Sequence, residues 1–319
     1  MGTSEMWTAD NTVYRFTEST SLDPTHGEII VEPAELRRRM IHVRRMATPT
    51  AHSPQPIDYA ALRSRPIDRS DPATYAPHLR YSLMVAALCN NASVHYDNSE
   101  WKTVGDPTEV ALTVAAQKAN AGPRYWTDQL GYRKVFERAF DSERKLMSSA
   151  YASSQSEITV LCKGAPEELL RKCTSYLPVN NTGSSSLTSS DEKQVPMDEE
   201  FATLVTDESS RMASQGLRVL GLAMKTSAAD MQMSDLSELS KLPSLAENNF
   251  IFVGLVGLID PPKQGVKESV ETCQQAGIRV MMITGDHVET AVAIASKLGI
   301  FKADVPGMVN KSVHVECIF

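Results

Sequence analysis

Nothing in this chain approaches the roughly 20 consecutive apolar residues of a membrane-spanning helix. The best apolar run, Phe252–Ile259, has the length of one buried strand. The start, MGTSEMWTADN, lacks the basic and apolar blocks of a signal peptide. The five cysteines, Cys89, Cys162, Cys173, Cys273 and Cys317, form no CxxC and have no His–Cys metal spacing. Free thiols in a reducing compartment are the simplest reading. The formal charge of −7 excludes a general nucleic-acid binder, which carries a basic surface. What remains is ample for a core: 319 residues, 42% of them hydrophobic and 22% charged, enough for one large or two ordinary domains.

The densest signals lie between Lys134 and Glu167. Lys134–Phe140, Leu146–Ser153 and Glu157–Cys162 have strand character, with a polar turn at Ser153–Ser156. Arg144 and Lys145 sit where the first turn enters the second strand, and Lys163 ends the third. Gly164-Ala165-Pro166-Glu167 then opens a helix, with Pro166 near its first position. Paired as a meander, these strands gather an aromatic ring, two lysines and a glycine that permits close approach. Such a set suits a nucleotide: a ring for the base and cations for the phosphates. The plainer alternative is a surface hairpin with solvated lysines.

Around this centre the chain divides. Residues 1–77 read as an extended segment with a possible strand at Thr12–Phe16, a basic helix over Glu35–Met46 and a proline-rich linker. Residues 78–250 read as one domain. It begins with a helix over His78–Cys89 and a second helix from Gly105-Asp106-Pro107-Thr108-Glu109, where Asp106 is the N-cap and Pro107 the first residue. It continues with the meander, a helix over Glu199–Gln215 stopped by Gly216, and a strand over Leu217–Met224 carrying Arg218. Residues 251–300 read as β-α-β-α: Phe252–Ile259, a helix ending at Gly277, the strand Ile278–Ile283, and a helix after Thr284-Gly285-Asp286. That order predicts a small parallel unit with right-handed crossovers. Thr284, Gly285 and Asp286 would lie at the carboxyl end of a strand and the start of a helix, where phosphate groups bind.

Six stretches in order resemble a P-type cation-transporting ATPase. They are GDPTEVAL (105–112), FDSERKLM (140–147), KGAPE (163–167), GLRVLGLA (216–223), DPPK (260–263) and MITGDHVETAVAIA (282–295). The early LDPTHGEI (22–29) and the TGDH spelling look most like the fungal sodium/potassium-exporting subtype. The resemblance implies an α/β fold: an ATP-binding domain with a mainly antiparallel sheet flanked by helices, joined to part of a parallel, haloacid-dehalogenase-like (Rossmann-type) phosphorylation domain. It implies a nucleotide site of Thr108, Glu109, Phe140, Lys145, Lys163, Gly164 and Arg218. Glu109 would meet the adenine edge, Phe140 would stack on the ring, Lys145 and Lys163 would line the pocket, and Arg218 would approach the phosphates. Thr284, Gly285 and Asp286 would surround the transferring phosphate and its Mg2+. The implied partners are ATP and the remainder of a pump, its actuator domain and membrane helices, which makes this the cytosolic region of a membrane protein.

The departures from that family shape the expectation. No DKTG, whose aspartate is the family's nucleophile, occurs in the chain, nor does a GDGxND. His26-Gly27-Glu28 is a poor imitation of the actuator TGE. Residues 301–319 diverge from the family. The chain therefore reads as a truncated piece that binds ATP and does not turn it over. A free-standing nucleotide-binding regulatory module is the alternative.

Overall fold

The computed structural model describes residues 1–32, 64–154, 157–177, 194–226, 247–263, 265–284 and 288–300. The predicted basic helix, Gly285, Asp286 and the divergent tail lie outside the described residues.

The meander forms as the strand-like runs and the polar turn between them predict. Strands β7 (Arg133–Asp141), β8 (Leu146–Ala152) and β9 (Ile158–Gly164) pair antiparallel in sequence order. β9 then pairs with β12 (Arg218–Thr226), and β12 with β13 (Phe250–Ile259), both antiparallel. β13 pairs on its other side with β1 (Gly2–Thr8). β2 (Val13–Phe16), β3 (Ile29–Glu32) and the short β4 (Arg65–Pro66) complete the row. β10 (Cys173–Tyr176) pairs parallel with the start of β13 and antiparallel with β11 (Val195–Pro196). β5 (Ser93–Asp97) and β6 (Glu100–Val104) form a separate hairpin.

Both faces of the sheet are covered. On one, α1 (Pro77–Leu88) and α2 (Pro107–Lys118) pack over Met6, Met147, Leu161, Leu222 and Val253. On the other, α3 (Pro166–Leu170) and α4 (Glu199–Ser214) pack over Trp7, Leu146, Cys162 and Phe252. The N-cap read at Asp106 is present, and α4 has one at Asp198 that the sequence reading did not name. Asp106 accepts from the Thr108 N–H at 2.8 Å and Asp198 from the Phe201 N–H at 2.7 Å. Gly216 ends α4 with φ +83°, a conformation that costs glycine little.

Three placements differ from the sequence reading. First, β13 is not a strand of a separate parallel unit. It lies inside the large sheet between β1 and β12, so the boundary drawn at residue 251 does not separate two sheets. Gly254 makes this possible, since a Cβ there would stand 2.4 Å from the Trp7 carbonyl oxygen. Second, the strand expected at Thr12–Phe16 is present as β2, but β1, β3 and β4, within the stretches read as extended segment and linker, are sheet strands too. Glu5, polar and buried, is held by Arg211 and by Arg15, so a charged residue can sit in β1. Third, Ile278–Ile283 forms no strand. It has no ladder partner among the described residues, and Met281 and Ile283 are 72% and 88% exposed. Before it, α5 (Val266–Gln275) buries only Val270, and after it α6 (Val288–Lys297) leans on the end of α4. There Lys297 Nζ donates to the Gln215 carbonyl at 2.7 Å and Thr290 Oγ1 to that of Leu217 at 3.2 Å.

Candidate functional site

The predicted nucleotide residues converge on one end of the sheet. Gly164 ends β9 and pairs with Leu146, the first residue of β8, and with Gly221 in β12. Lys145 immediately precedes β8. Phe140 is near the end of β7, and Arg218, exposed, begins β12 three residues before Gly221. Thr108 and Glu109 stand in the first turn of α2, which overlies the same region.

Gly164 is required by the backbone. A Cβ there would stand 2.2 Å from the Lys145 carbonyl oxygen, which accepts from the Ala165 N–H at 3.0 Å. Lys145 itself has φ +57°, closing a tight turn in which its N–H donates to the Asp141 carbonyl at 2.9 Å. Its side chain is exposed.

Lys163 faces α1 and α2. Its ammonium donates to Glu109 Oε1 at 2.8 Å and to the Cys89 carbonyl, and the side chain is 7% exposed. Glu109 is 15% exposed, and its Oε2 accepts from the Asn91 N–H at 3.2 Å. The Asn90 side-chain amide bridges the carbonyls of Ala86 and Glu109, both at 2.9 Å, which ties the end of α1 to the start of α2. The Lys163 charge is thus committed to a half-buried carboxylate. Neither the pairing nor Asn90 was legible in the sequence, since Glu109 and Lys163 are 54 residues apart.

Phe140 owes its direction to a bulge. Arg138 pairs with Ser148 and Asp141 with Leu146, so Ala139 and Phe140 together oppose Met147. An extra residue breaks the alternation and re-aims side chains. Phe140 is 60% exposed, while Met147 beside it is buried. Met147 in turn pairs with Lys163, which puts Phe140 two strand spacings, about 10 Å, from Lys163.

The turn after β7 is set by Asp141. Its carboxyl is held below the usual carboxylate range, first by the Arg144 backbone N–H and then by the Arg144 guanidinium. The resulting stabilisation is fully present above the ordinary pKa of about 3.9 and is lost as pH falls through the lower folded value. A carboxyl NMR titration should give Asp141 a midpoint below 3.9 on that scale. In Arg144→Ala the midpoint should rise only part of the way, because the backbone donor remains. An unchanged midpoint would remove the guanidinium from this account.

Of the phosphate-proximal residues, Thr284 is exposed beside the unpaired Ile278–Ile283 segment, and Gly285 and Asp286 are not described. A separate cleft of about 510 Å³ lies at the far end of α2, lined by Arg69, Gln117, Lys118 and Asn120 among others. It holds no aromatic ring, and its Lys118 ammonium is engaged by the carbonyls of Thr17 and Glu18. No helix among the described residues is long and apolar enough to cross a membrane.

Comparison with known proteins agrees with this architecture. Residues 79–265 match the family model described as P-type ATPase, cytoplasmic domain N. A calcium-transporting ATPase of Bacillus cereus is 39% identical over 214 residues, 67% of this chain and 21% of the relative. A sodium/potassium exporting P-type ATPase of Schizosaccharomyces pombe is 37% identical over 222 residues, 68% of this chain and 19% of the relative. A calcium-transporting ATPase of Listeria monocytogenes is 34% identical over 233 residues, 73% and 24% respectively. The chain spans about a fifth to a quarter of the length of these relatives.

Proposed function

Because this chain belongs to the P-type cation ATPase family through its cytoplasmic domain N, we propose that it is the ATP-binding part of an ATP-driven cation pump. The observation that carries this reading is the 60% exposed Phe140, turned out by a bulge beside the pair of buried Lys163 with half-buried Glu109. An apolar ring of this size left open at a sheet end offers its face to a flat partner, and adenine is one.

The roles then divide by exposure. Phe140 stacks on the base. Lys145 and Arg218, exposed on either side of Gly164, supply positive charge toward the phosphates. Glu109 and Lys163 neutralise one another and form the wall of the pocket, which differs from a role for Lys163 at a phosphate. Thr108 donates its backbone N–H to the cap and faces the same opening at the helix start. ATP would bring Mg2+ and the transferring phosphoryl group. The residues described here bind and orient, and no phosphoryl acceptor of the DKTG type is present in the chain to receive it. The sodium/potassium-exporting subtype is supported by the LDPTHGEI and TGDH spellings.

Titration with ATP and with adenosine tests the site. Phe140→Ala should weaken both by roughly 1–3 kcal/mol, the range for a base stacked on an aromatic ring. Lys145→Ala should weaken ATP more than adenosine, since a phosphate contact is lost on ATP alone. Equal affinity in wild type and Phe140→Ala would remove the stacking claim and, with it, this location for the site.

A further inference from the structure

We propose that Glu247 is a positioning residue of the nucleotide site. It acts through Arg144 and Arg138 to fix the bulge that presents Phe140. The proposal rests on the reading of Phe140 as the base-stacking ring.

Glu247 lies just before β13, more than 100 residues from the β7–β8 turn, yet its side chain is buried against that turn. Its Oε2 accepts from Arg138 NH1 at 2.9 Å. Its Oε1 accepts from Ser148 Oγ at 2.7 Å and from Arg144 NH1. The loop carrying it is anchored in turn, because Lys225 Nζ donates to the Asn248 carbonyl at 3.0 Å.

Arg144 spends its three nitrogens on three different groups. NH1 goes to Glu247, Nε to Asp141, and NH2 to the Ala139 carbonyl at 2.8 Å. The Ala139 contact joins Arg144 to the bulge itself. A bulge leaves a backbone group without its ladder partner, and a donor held on that group fixes the bulge even where it is exposed, as Ala139 is. Here the guanidinium is that donor, and its planar fork has one orientation that serves all three acceptors. Glu247 sets that orientation. It also holds Arg138, so the residues bracketing Ala139–Phe140 are both fixed to one carboxylate. Without Glu247 the fork can swing toward Asp141 alone. The bulge is then free to relax, and the Phe140 ring loses its fixed direction.

A purely structural clamp of β7 onto the sheet would use the same contacts, so the test must separate the two. ATP and adenosine affinities are measured on the whole chain for wild type, Glu247→Gln, Phe140→Ala and the double variant. A urea unfolding midpoint accompanies each. Glu247→Gln should weaken ATP and adenosine by a common factor, on the order of tenfold and within the range a stacked base provides. In the Phe140→Ala background the same change should move either affinity by less than about twofold, because residues acting as one unit are not additive. Equal factors in the two backgrounds overturn the proposal, since Glu247 would then act without the ring. No effect of Glu247→Gln on either ligand also overturns it. If Phe140→Ala alone leaves affinity unchanged, the nucleotide reading has failed and the positioning role goes with it. Should Glu247→Gln not fold, Arg144→Lys takes its place. It keeps the charge and cannot reach all three acceptors, and the same non-additivity with Phe140→Ala is expected.

Discussion

Replacing Lys163 with methionine should cost about 3–5 kcal/mol of stability, the toll of breaking a buried pair and leaving its partner charged. The Lys163 ammonium is buried with Glu109 Oε1 at 2.8 Å, and its second acceptor is the carbonyl of Cys89 at the end of α1. Methionine fills much the same volume, so packing is nearly conserved and the loss is electrostatic. Glu109 keeps one backbone donor, the Asn91 N–H, which does not offset a full charge. The double variant Lys163→Met, Glu109→Gln should recover most of the loss, because replacing a buried pair with neutral groups is often close to neutral. Urea unfolding midpoints of the four proteins give the cycle. A single-variant cost below about 1 kcal/mol, the scale of an exposed pair, would mean that the pair is open to water. The same geometry fixes the binding result. With its charge already matched by Glu109, Lys163→Met should weaken ATP and adenosine alike in the folded fraction, unlike Lys145→Ala.

The parts of this molecule that could be read from sequence are those whose signal is local. The meander showed through its strand-like composition and the polar turn at Ser153–Ser156, and α2 through the Asp106-Pro107 start. β13 was found as a strand and given the wrong neighbours. A run buried on both faces is the usual mark of a parallel strand, but helices also cover both faces of this antiparallel sheet, and the two cases leave the same pattern. Ile278–Ile283 failed in the opposite way. Its composition suits a strand, but a strand exists only in a ladder, and the described residues provide none. Within the site, Phe140, Lys145 and Gly164 were legible because they cluster within 25 residues. The long-range contacts of the carboxylates were not, although Glu109 itself was named there. Glu247 reaches Arg144 across 103 residues and Glu109 reaches Lys163 across 54, and no local pattern encodes either.

Trp7→Ala should cost about 3–5 kcal/mol, as for other fully buried aromatic truncations. This prediction decides whether residues 1–32 are an appended segment, as their polar composition suggests, or part of the fold. β1 lies between β2 and β13, with Trp7 opposite Val13 on one side and Leu255 on the other. The Trp7 side chain is fully buried. Its ring centroid is 6.4 Å from that of Phe201 on α4 and 6.5 Å from that of Phe252 on β13, so three separated stretches of chain meet on it. Its indole N–H is satisfied by Asn11 Oδ1 at 2.9 Å, within its own hairpin, so truncation leaves a cavity more than an orphaned donor. Tyr96→Ala on the exposed β5–β6 hairpin is the control, and it should fall within about 0.5 kcal/mol as surface changes do. The urea slope is as informative as the midpoint. If β1 unfolds with the rest, Trp7→Ala lowers the midpoint and leaves the slope unchanged, because the same surface is exposed. A near-zero effect, matching the Tyr96 control, would detach β1 from the sheet and restore the view of the first 32 residues as an extension outside the domain.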